Sequence, residues 1–174
     1  MYQRITKSIV EYFDFIVIGS GISGLSFSLN IANKGNVLIV TKKEIIDSTT
    51  NYAQGGIAAA IGKLDKFHDH IKDTMEAGAY HNKLSAVKFM VKNGPKYVNE
   101  LKTIGVPFTQ KENTLALTKE GGHSQNRIAY VGDHTGNLIE TTLIKAIKLN
   151  KNITIWNNTF AIDLLVKNNR CYGL

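Results

Sequence analysis

The sequence predicts an α/β fold with a Rossmann-like parallel sheet, followed by a β-meander. Two short apolar runs, near 14–18 and 37–40, have the length and composition of buried strands. The segment between them, Ile22 to Asn33, has the apolar spacing of an amphipathic helix. A strand–helix–strand unit of this kind is parallel with a right-handed crossover.

A glycine-rich turn joins the first strand to the helix. Gly19, Gly21 and Gly24 form the pattern G-x-G-x-x-G in the strand–turn–helix context that a dinucleotide-binding fingerprint requires. The free N–H groups and dipole of the helix N-terminus suit a pyrophosphate. The second strand ends in Thr41 and Lys42, where an ordinary NAD site has an acidic residue for the ribose. The pattern therefore predicts a dinucleotide site of another type.

A second polar segment, from Ser48 to Gly56, begins a few residues after the second strand. It is rich in hydroxyls, amides and backbone donors, and its paired glycines allow a flat ligand to approach. Ligands of open α/β sheets bind beyond the carboxyl ends of the strands, which is where this segment is expected. The predicted ligand-contacting residues are Thr49, Thr50, Asn51, Tyr52, Ala53, Gln54, Gly55 and Gly56.

The remaining elements follow from periodicity and turn signals. Helices are predicted at 65–77, 86–91, 96–101 and 136–149, with a break between the second and third at Gly94-Pro95. A third parallel strand is predicted at 153–156, and two further strands at 160–166 and 171–174. The sequence stops inside the last strand, which predicts an incomplete domain. Leu117 to Arg127, which holds Glu120, His123 and Ser124, is typical of a substrate-facing loop.

Composition argues against several classes of function. The net charge is +7, from 21 basic and 14 acidic residues, but the lysines are scattered and only three arginines occur, so no nucleic-acid partner is expected. No run is long enough to span a membrane, and the single Cys171 fits a reducing compartment, so a cytoplasmic protein is expected. His68 and His70 point to different sides of a helix, so no metal site is expected. Ser124 beside His123 lacks a nucleophile elbow, which argues against a hydrolase.

Three motifs together resemble the succinate dehydrogenase/fumarate reductase flavoprotein superfamily and, within it, the L-aspartate oxidase family. They are the glycine turn, the loop N-Y-A-Q-G-G-I at 51–57, and the segment E-G-G-H-S at 120–124 with Arg127 and D-x-T-G at 133–136. The resemblance runs from Phe13 to Leu174. The loop is far more specific than the glycine turn.

The resemblance implies bound FAD. It places Ser20, Ile22 and Ser23, with the three glycines, at the pyrophosphate, and Lys42 near the adenosine. It places 49–56 along the flavin, and Phe160 and Ala161 at the adenine end. Thr49 stands where membrane succinate dehydrogenases carry the histidine that binds FAD covalently, so noncovalent FAD is implied. Glu120 stands where those dehydrogenases tend to have an aromatic residue, and in the aspartate oxidases it is implied to recognise the substrate ammonium group.

The implied activity is oxidation of L-aspartate to iminoaspartate, with oxygen or fumarate as acceptor, in quinolinate and NAD synthesis. Quinolinate synthase is an implied partner. Residues 1–174 are then the N-terminal segment of an FAD-binding domain, without the capping domain, the C-terminal helical domain and the main catalytic residues. Two alternatives stay open: a fumarate reductase or succinate dehydrogenase flavoprotein, and a non-catalytic nucleotide-binding remnant.

Overall fold

A computed structural model describes residues 10–174 of the chain, and residues 1–9 lie outside the described part. The helices are α1 (Ile22–Ile31), α2 (Phe67–Ala77), α3 (Leu84–Ile104) and α4 (Thr135–Lys148). The strands are β1 (Phe15–Ile18), β2 (Val37–Val40), β3 (Ile57–Ala58), β4 (Gln110–Lys111), β5 (Thr114–Leu115), β6 (Leu117–Thr118), β7 (Ile128–Ala129), β8 (Ile153–Trp156), β9 (Leu165–Lys167) and β10 (Arg170–Gly173).

The central sheet is parallel and has the strand order β1–β2–β8. In its register, Val37 of β2 lies between Phe15 of β1 and Ile153 of β8. All four residues of β2 are buried, as expected for the middle strand of a sheet covered on both faces. The predicted α/β class, the parallel sheet and the crossover through α1 are confirmed.

Two helices pack together against this sheet. Leu25 of α1 is completely buried, and α4 contributes Ile139, Leu143 and Ile147, which are spaced four residues apart and therefore share one face. These residues join the strands in one hydrophobic core. Because the glycine turn precedes α1 and a polar loop reaches α4, this packing brings the two polar segments together.

The predicted break at Gly94-Pro95 is wrong, because α3 is a single helix of 21 residues with Pro95 inside it. The buried residues Val87, Val91, Val98 and Leu101 form one continuous apolar face along it. Burial of this face outweighs the hydrogen bond that Pro95 cannot donate. Gly94 also lets the helix approach β3 closely, since a Cβ added there would lie 3.3 Å from the Ala59 Cβ.

Two antiparallel units and a hairpin complete the described fold. Strands β3, β7 and β6 form one small sheet, and β4 pairs with β5. At the end, β9 and β10 form a hairpin around Asn168 and Asn169, whose positive φ angles of 50° and 58° fit a type I′ turn. The predicted strand at 160–166 is wrong for 160–164, which pairs with no other strand of the described chain. Among residues 10–174, no helix is both long enough and apolar enough to cross a bilayer.

Candidate functional site

The glycine turn lies at the carboxyl end of β1 and closes tightly on its neighbours. Gly19, with φ of +103°, donates its N–H to the Val40 carbonyl oxygen across 2.8 Å. A side chain at Gly24 would overlap the Gly19 carbonyl, so α1 can start this close to the strand only with glycine at 24. Gly21 is the N-cap of α1 and makes no side-chain capping bond. A helix N-terminus of this kind suits an anion, in keeping with the predicted pyrophosphate site.

Ser20 lies in this turn with its side chain directed inward. It is only 4% exposed, and its hydroxyl lies 3.1 Å from the hydroxyl of Thr41, which is also buried. Because the Ser20 side chain is buried against Thr41, its backbone is the group better placed for a phosphate. This contact also gives Thr41 a structural role, because it links the turn after β1 to the end of β2.

The polar segment reaches the glycine turn through Thr50. Its hydroxyl accepts a hydrogen bond of 3.0 Å from the N–H of Ile22, in the first turn of α1. The Ser48 hydroxyl in turn accepts a bond of 3.1 Å from the Thr50 N–H. The two segments that the sequence singled out, 19–24 and 49–56, therefore form one continuous polar surface.

The first turn of α4 donates hydrogen bonds to this loop. Gly136 donates its N–H to the Ala53 carbonyl oxygen across 2.9 Å, and the Asn137 amide donates to the Asn51 side-chain oxygen across 2.7 Å. A Cβ at Gly136 would overlap the Thr50 carbonyl and lie 2.6 Å from that of Ala53. The sequence analysis placed Gly136 in a motif but missed Asn137, because its partner is 86 residues away.

Glu140 is a buried acidic residue one turn further along α4. It is completely buried, and neither carboxyl oxygen makes a hydrogen bond of good geometry with the described residues. Burial raises the pKa of this carboxyl, while the nearby Ser48 hydroxyl and Asn51 N–H oppose the rise. The sequence does not predict this residue, since a single Glu on a helix carries no signal of burial.

The predicted adenosine-end residues lie together at the carboxyl edge of the sheet. Lys42 is exposed immediately after β2. Asn158 and Thr159, which follow β8, donate their N–H groups to the carbonyls of Lys43 and Thr41 across 3.2 and 3.0 Å. Phe160 and Ala161 follow Thr159 directly in the chain, and Phe160 is 70% exposed.

Side-chain contacts that the sequence did not predict also stabilise the carboxyl edge of the parallel sheet. The Glu44 carboxylate accepts bonds of 2.7 Å from the side-chain amides of both Asn157 and Asn158. Lys43 pairs with Asp47 across 2.9 Å. That bond is the largest cause of the lowered pKa of Asp47 and the raised pKa of Lys43. No local pattern in the sequence signals contacts that span more than 110 residues.

Glu120 lies against the glycine pair of the polar segment. If Gly55 carried a Cβ, that atom would be 2.9 Å from Glu120 Oε1. Gly56 faces the other way, and a Cβ there would lie 2.6 Å from the Ala129 carbonyl oxygen. The loop that carries Glu120 therefore touches the segment predicted to line the flavin. Tyr52, Gln54 and Thr49 are exposed on the same segment.

Arg127, at the end of the predicted substrate-facing loop 117–127, is held inside the described chain, whereas Ser124 is exposed. Arg127 is completely buried and donates two bonds to Asp65, of 3.0 and 2.9 Å, and one of 2.8 Å to Asp73. Ser124 donates its N–H and hydroxyl to the same Asp73. A buried guanidinium needs paired carboxylates, and two aspartates from a distant segment supply them.

A cavity of about 710 Å³ lies between α1 and α3. It reaches the start of α1 at Ile22 and Ser23, and apolar side chains of α3 form most of its wall. His70 lines it with 5% exposure, and its Nδ1 has no hydrogen-bond partner within residues 10–174. Burial is the main cause of the lowered pKa of His70. His68, by contrast, is exposed, as its spacing from His70 predicts.

These features fit an extended dinucleotide. The start of α1 lies at the carboxyl end of β1, Lys42 follows β2 and residues 160–161 follow β8, and the loop 49–56 is hydrogen-bonded to the start of α1. In agreement with this geometry, a family model described as "FAD binding domain" matches residues 14–174. The chain belongs to this FAD-binding family, and FAD is its cofactor.

Comparison with known proteins gives closer relatives within that class. The chain is 44% identical over 164 residues to "L-aspartate oxidase 2-b, chloroplastic" of Nicotiana tabacum, covering 94% of this chain and 25% of the relative. It is 42% identical over 173 residues to the L-aspartate oxidase of Acinetobacter baylyi, covering 94% of this chain and 32% of the relative. The chain thus spans about a quarter to a third of the length of these relatives.

A solved structure shows the same fold. The Mycobacterium smegmatis Sdh1 complex in its apo form superposes with a TM-score of 0.84 and 29% identity, over 91% of this chain and 30% of that one. The fold expected from the resemblance is therefore confirmed. The roles of individual side chains remain predictions.

Proposed function

We propose that the chain is the N-terminal part of a longer FAD-dependent enzyme that oxidises L-aspartate to iminoaspartate. The observation that carries the proposal is the contact of Glu120 with Gly55, which sets a carboxylate beside the loop assigned to the flavin. Similarity to proteins named L-aspartate oxidase over 94% of the chain supports it. The capping domain, the helical domain and the main catalytic residues are proposed to belong to the rest of that protein.

The proposed FAD site uses mostly backbone groups. Backbone amides in 20–24, other than that of Ile22, which is bonded to Thr50, hold the pyrophosphate with the help of the helix dipole. Lys42 adds positive charge near the adenosine, and the backbone of Phe160 and Ala161 binds the adenine end. Residues 49–56 border the flavin, and Thr49 in place of histidine leaves the cofactor noncovalent. When bound, FAD supplies the two-electron acceptor for the substrate.

The proposed task of Glu120 is substrate selection. Aspartate differs from succinate by one ammonium group, and a carboxylate close to that group can accept a charge-assisted hydrogen bond. Such a bond contributes roughly 1.5–3 kcal/mol, which corresponds to about 10- to 100-fold in discrimination. Glu120 is exposed in the described chain, so its carboxylate is free to reach a ligand at Gly55.

Oxygen or fumarate is the proposed electron acceptor. The iminoaspartate product is an imine that water hydrolyses, so direct consumption by a quinolinate synthase would preserve it. This chemistry makes that enzyme the proposed partner in quinolinate and NAD synthesis. A reducing compartment such as the cytoplasm is proposed, since the only cysteine of the sequence, Cys171, is an exposed free thiol.

The deciding experiment is anaerobic reduction of the flavin in the full-length protein. L-Aspartate should reduce the flavin, seen as loss of its visible absorbance. Succinate at the same concentration should reduce it at least about tenfold more slowly. Faster bleaching by succinate would overturn the proposal. It would favour the second candidate, a dicarboxylate dehydrogenase, which the 29% identity to the Sdh1 complex supports.

A further inference from the structure

We propose that Asp73 is a positioning residue that holds the Glu120 loop against Gly55 and thereby controls recognition of the substrate ammonium group. The proposal rests on the function proposed for Glu120. Asp73 lies on α2, far in sequence from both segments, and it is 8% exposed. Within the described chain, Asp73 makes no hydrogen bond to Glu120 and is connected to it only through other residues.

The loop that carries Glu120 is closed at its base. Its residues 119–126 lie between β6 and Arg127, the residue before β7, and β6 pairs with β7. The Arg127 N–H donates to the Thr118 carbonyl oxygen across 3.0 Å. Pairing at the base fixes the two ends, but the outer half of an eight-residue loop needs a contact of its own to hold one conformation.

Asp73 supplies that contact through a single carboxylate oxygen. Its Oδ2 accepts the Ser124 N–H across 2.7 Å and the Ser124 hydroxyl across 2.8 Å. The adjacent turn connects Ser124 to Glu120, because the His123 N–H donates to the Glu120 carbonyl oxygen across 3.1 Å. Anchoring Ser124 therefore anchors the backbone that presents Glu120.

The anchor is itself held in place by Arg127. The same Oδ2 accepts a bond of 2.8 Å from Arg127 Nη1, while Asp65 takes two bonds from the other side of the guanidinium. The Arg127 side chain is 0% exposed and that of Asp65 is 1% exposed. Since moving Asp73 would leave a buried charge less well paired, its carboxylate is fixed in one orientation. A binding group held this way is preorganised, so less ordering is needed when substrate binds.

The test uses Asp73→Ala in the full-length FAD-loaded protein. We expect KM for aspartate to rise about tenfold with a smaller change in kcat, while fumarate reduction and FAD affinity stay within about twofold. Asp73→Asn keeps an acceptor for Ser124 and should recover part of the loss. In the Glu120→Gln background, Asp73→Ala should change aspartate kinetics by less than about twofold, because the loop then has no ammonium-binding group to position.

A second measurement is independent of turnover. Backbone amides in 119–124 should exchange hydrogen at least about tenfold faster in Asp73→Ala than in wild type, with amides of β2 unchanged. Unchanged exchange in the loop would overturn the positioning proposal. Faster exchange with unaltered aspartate kinetics would show that this positioning does not control recognition and would also overturn the proposal. Unaltered aspartate kinetics in Glu120→Gln would overturn the role proposed for Glu120, so the two failures are distinguishable. Equal losses of aspartate oxidation and fumarate reduction would show a general structural effect and also overturn the proposal.

If Asp73→Ala fails to fold, a less disruptive pair of variants tests the positioning proposal. Ser124→Ala removes the two hydroxyl bonds, to Asp73 and from Arg127 Nη2, and keeps the N–H bond to Asp73. It should raise KM for aspartate about two- to fivefold, and Ser124→Thr, which keeps a hydroxyl, should restore it. Equal KM in both variants and wild type would contradict the proposal.

Discussion

Ile22 donates its backbone N–H to the hydroxyl of Thr50 across 3.0 Å, which joins the start of α1 to the polar loop that follows β2. One partner belongs to the predicted pyrophosphate site and the other to the predicted flavin segment. The bond therefore holds the two predicted parts of a dinucleotide site next to each other.

Removing the Thr50 hydroxyl should weaken FAD binding. Thr50→Val keeps the shape but loses the acceptor for Ile22, and a hydrogen bond of this type contributes about 0.5–1.5 kcal/mol. We expect the FAD dissociation constant of the full-length apoprotein to rise about two- to tenfold by fluorescence titration. Thr50→Ser is the matched control and should bind like wild type. Equal affinities in all three proteins would contradict the assigned bond.

Gly21 offers a cleaner test of the pyrophosphate site. A Cβ at Gly21 would make only an ordinary contact, 3.5 Å from Thr50 Oγ1, and its φ of −68° suits any residue. Gly21→Ala should therefore fold normally but bind FAD at least about tenfold more weakly, and Gly21→Val should abolish binding, because a side chain blocks the phosphates. Normal FAD content in purified Gly21→Val would place the pyrophosphate elsewhere. Gly24→Ala is the contrasting variant and should lower the thermal midpoint, since its Cβ would overlap Gly19.

The cofactor is expected to be noncovalent because Thr49 carries no nucleophilic imidazole. Acid precipitation of the full-length holoprotein should leave the yellow flavin in the supernatant. A pellet that stays yellow after washing would show a covalent bond and contradict the assignment.

Glu140 predicts a pH dependence of stability with a definite sign. Its pKa is raised in the folded protein above the ordinary 4.5, so its buried neutral form favours folding at acid pH. This contribution is present below the unfolded pKa and is lost as pH rises through the folded pKa. Glu140→Gln should therefore be more stable relative to wild type at pH 7.5 than at pH 4, measured as urea midpoints of the full-length protein. A difference that is the same at both pH values would contradict the raised pKa.

Sequence reasoning found the parts of the fold whose determinants are local. Apolar runs located β1, β2 and β8, and the glycine spacing located the turn before α1. It failed at Pro95, where a buried face of four residues outweighs one missing hydrogen bond. It also failed at 160–164, because β propensity alone cannot supply a neighbouring strand.

The site was predicted less completely, for a related reason. The segments 19–24 and 49–56 were visible because each carries its own composition. The burial of Arg127 and its ion pairs were not predicted, because its partners, Asp65 and Asp73, lie 62 and 54 residues away. Glu140 and Asn137 were missed because burial and partner choice depend on how α4 packs, which no local pattern encodes.

The most direct measurement compares two activities of Glu120→Gln in the full-length protein. We expect kcat/KM for aspartate oxidation to fall roughly 10- to 100-fold, because the charge-assisted bond from the substrate ammonium group to Glu120 is lost. Fumarate reduction should be largely unchanged. Glu112→Gln, which makes the same charge change in an exposed turn, is the matched control and should alter neither activity. Equal losses of both activities in Glu120→Gln, or no change in either, would contradict the claim that Glu120 reads the substrate ammonium group.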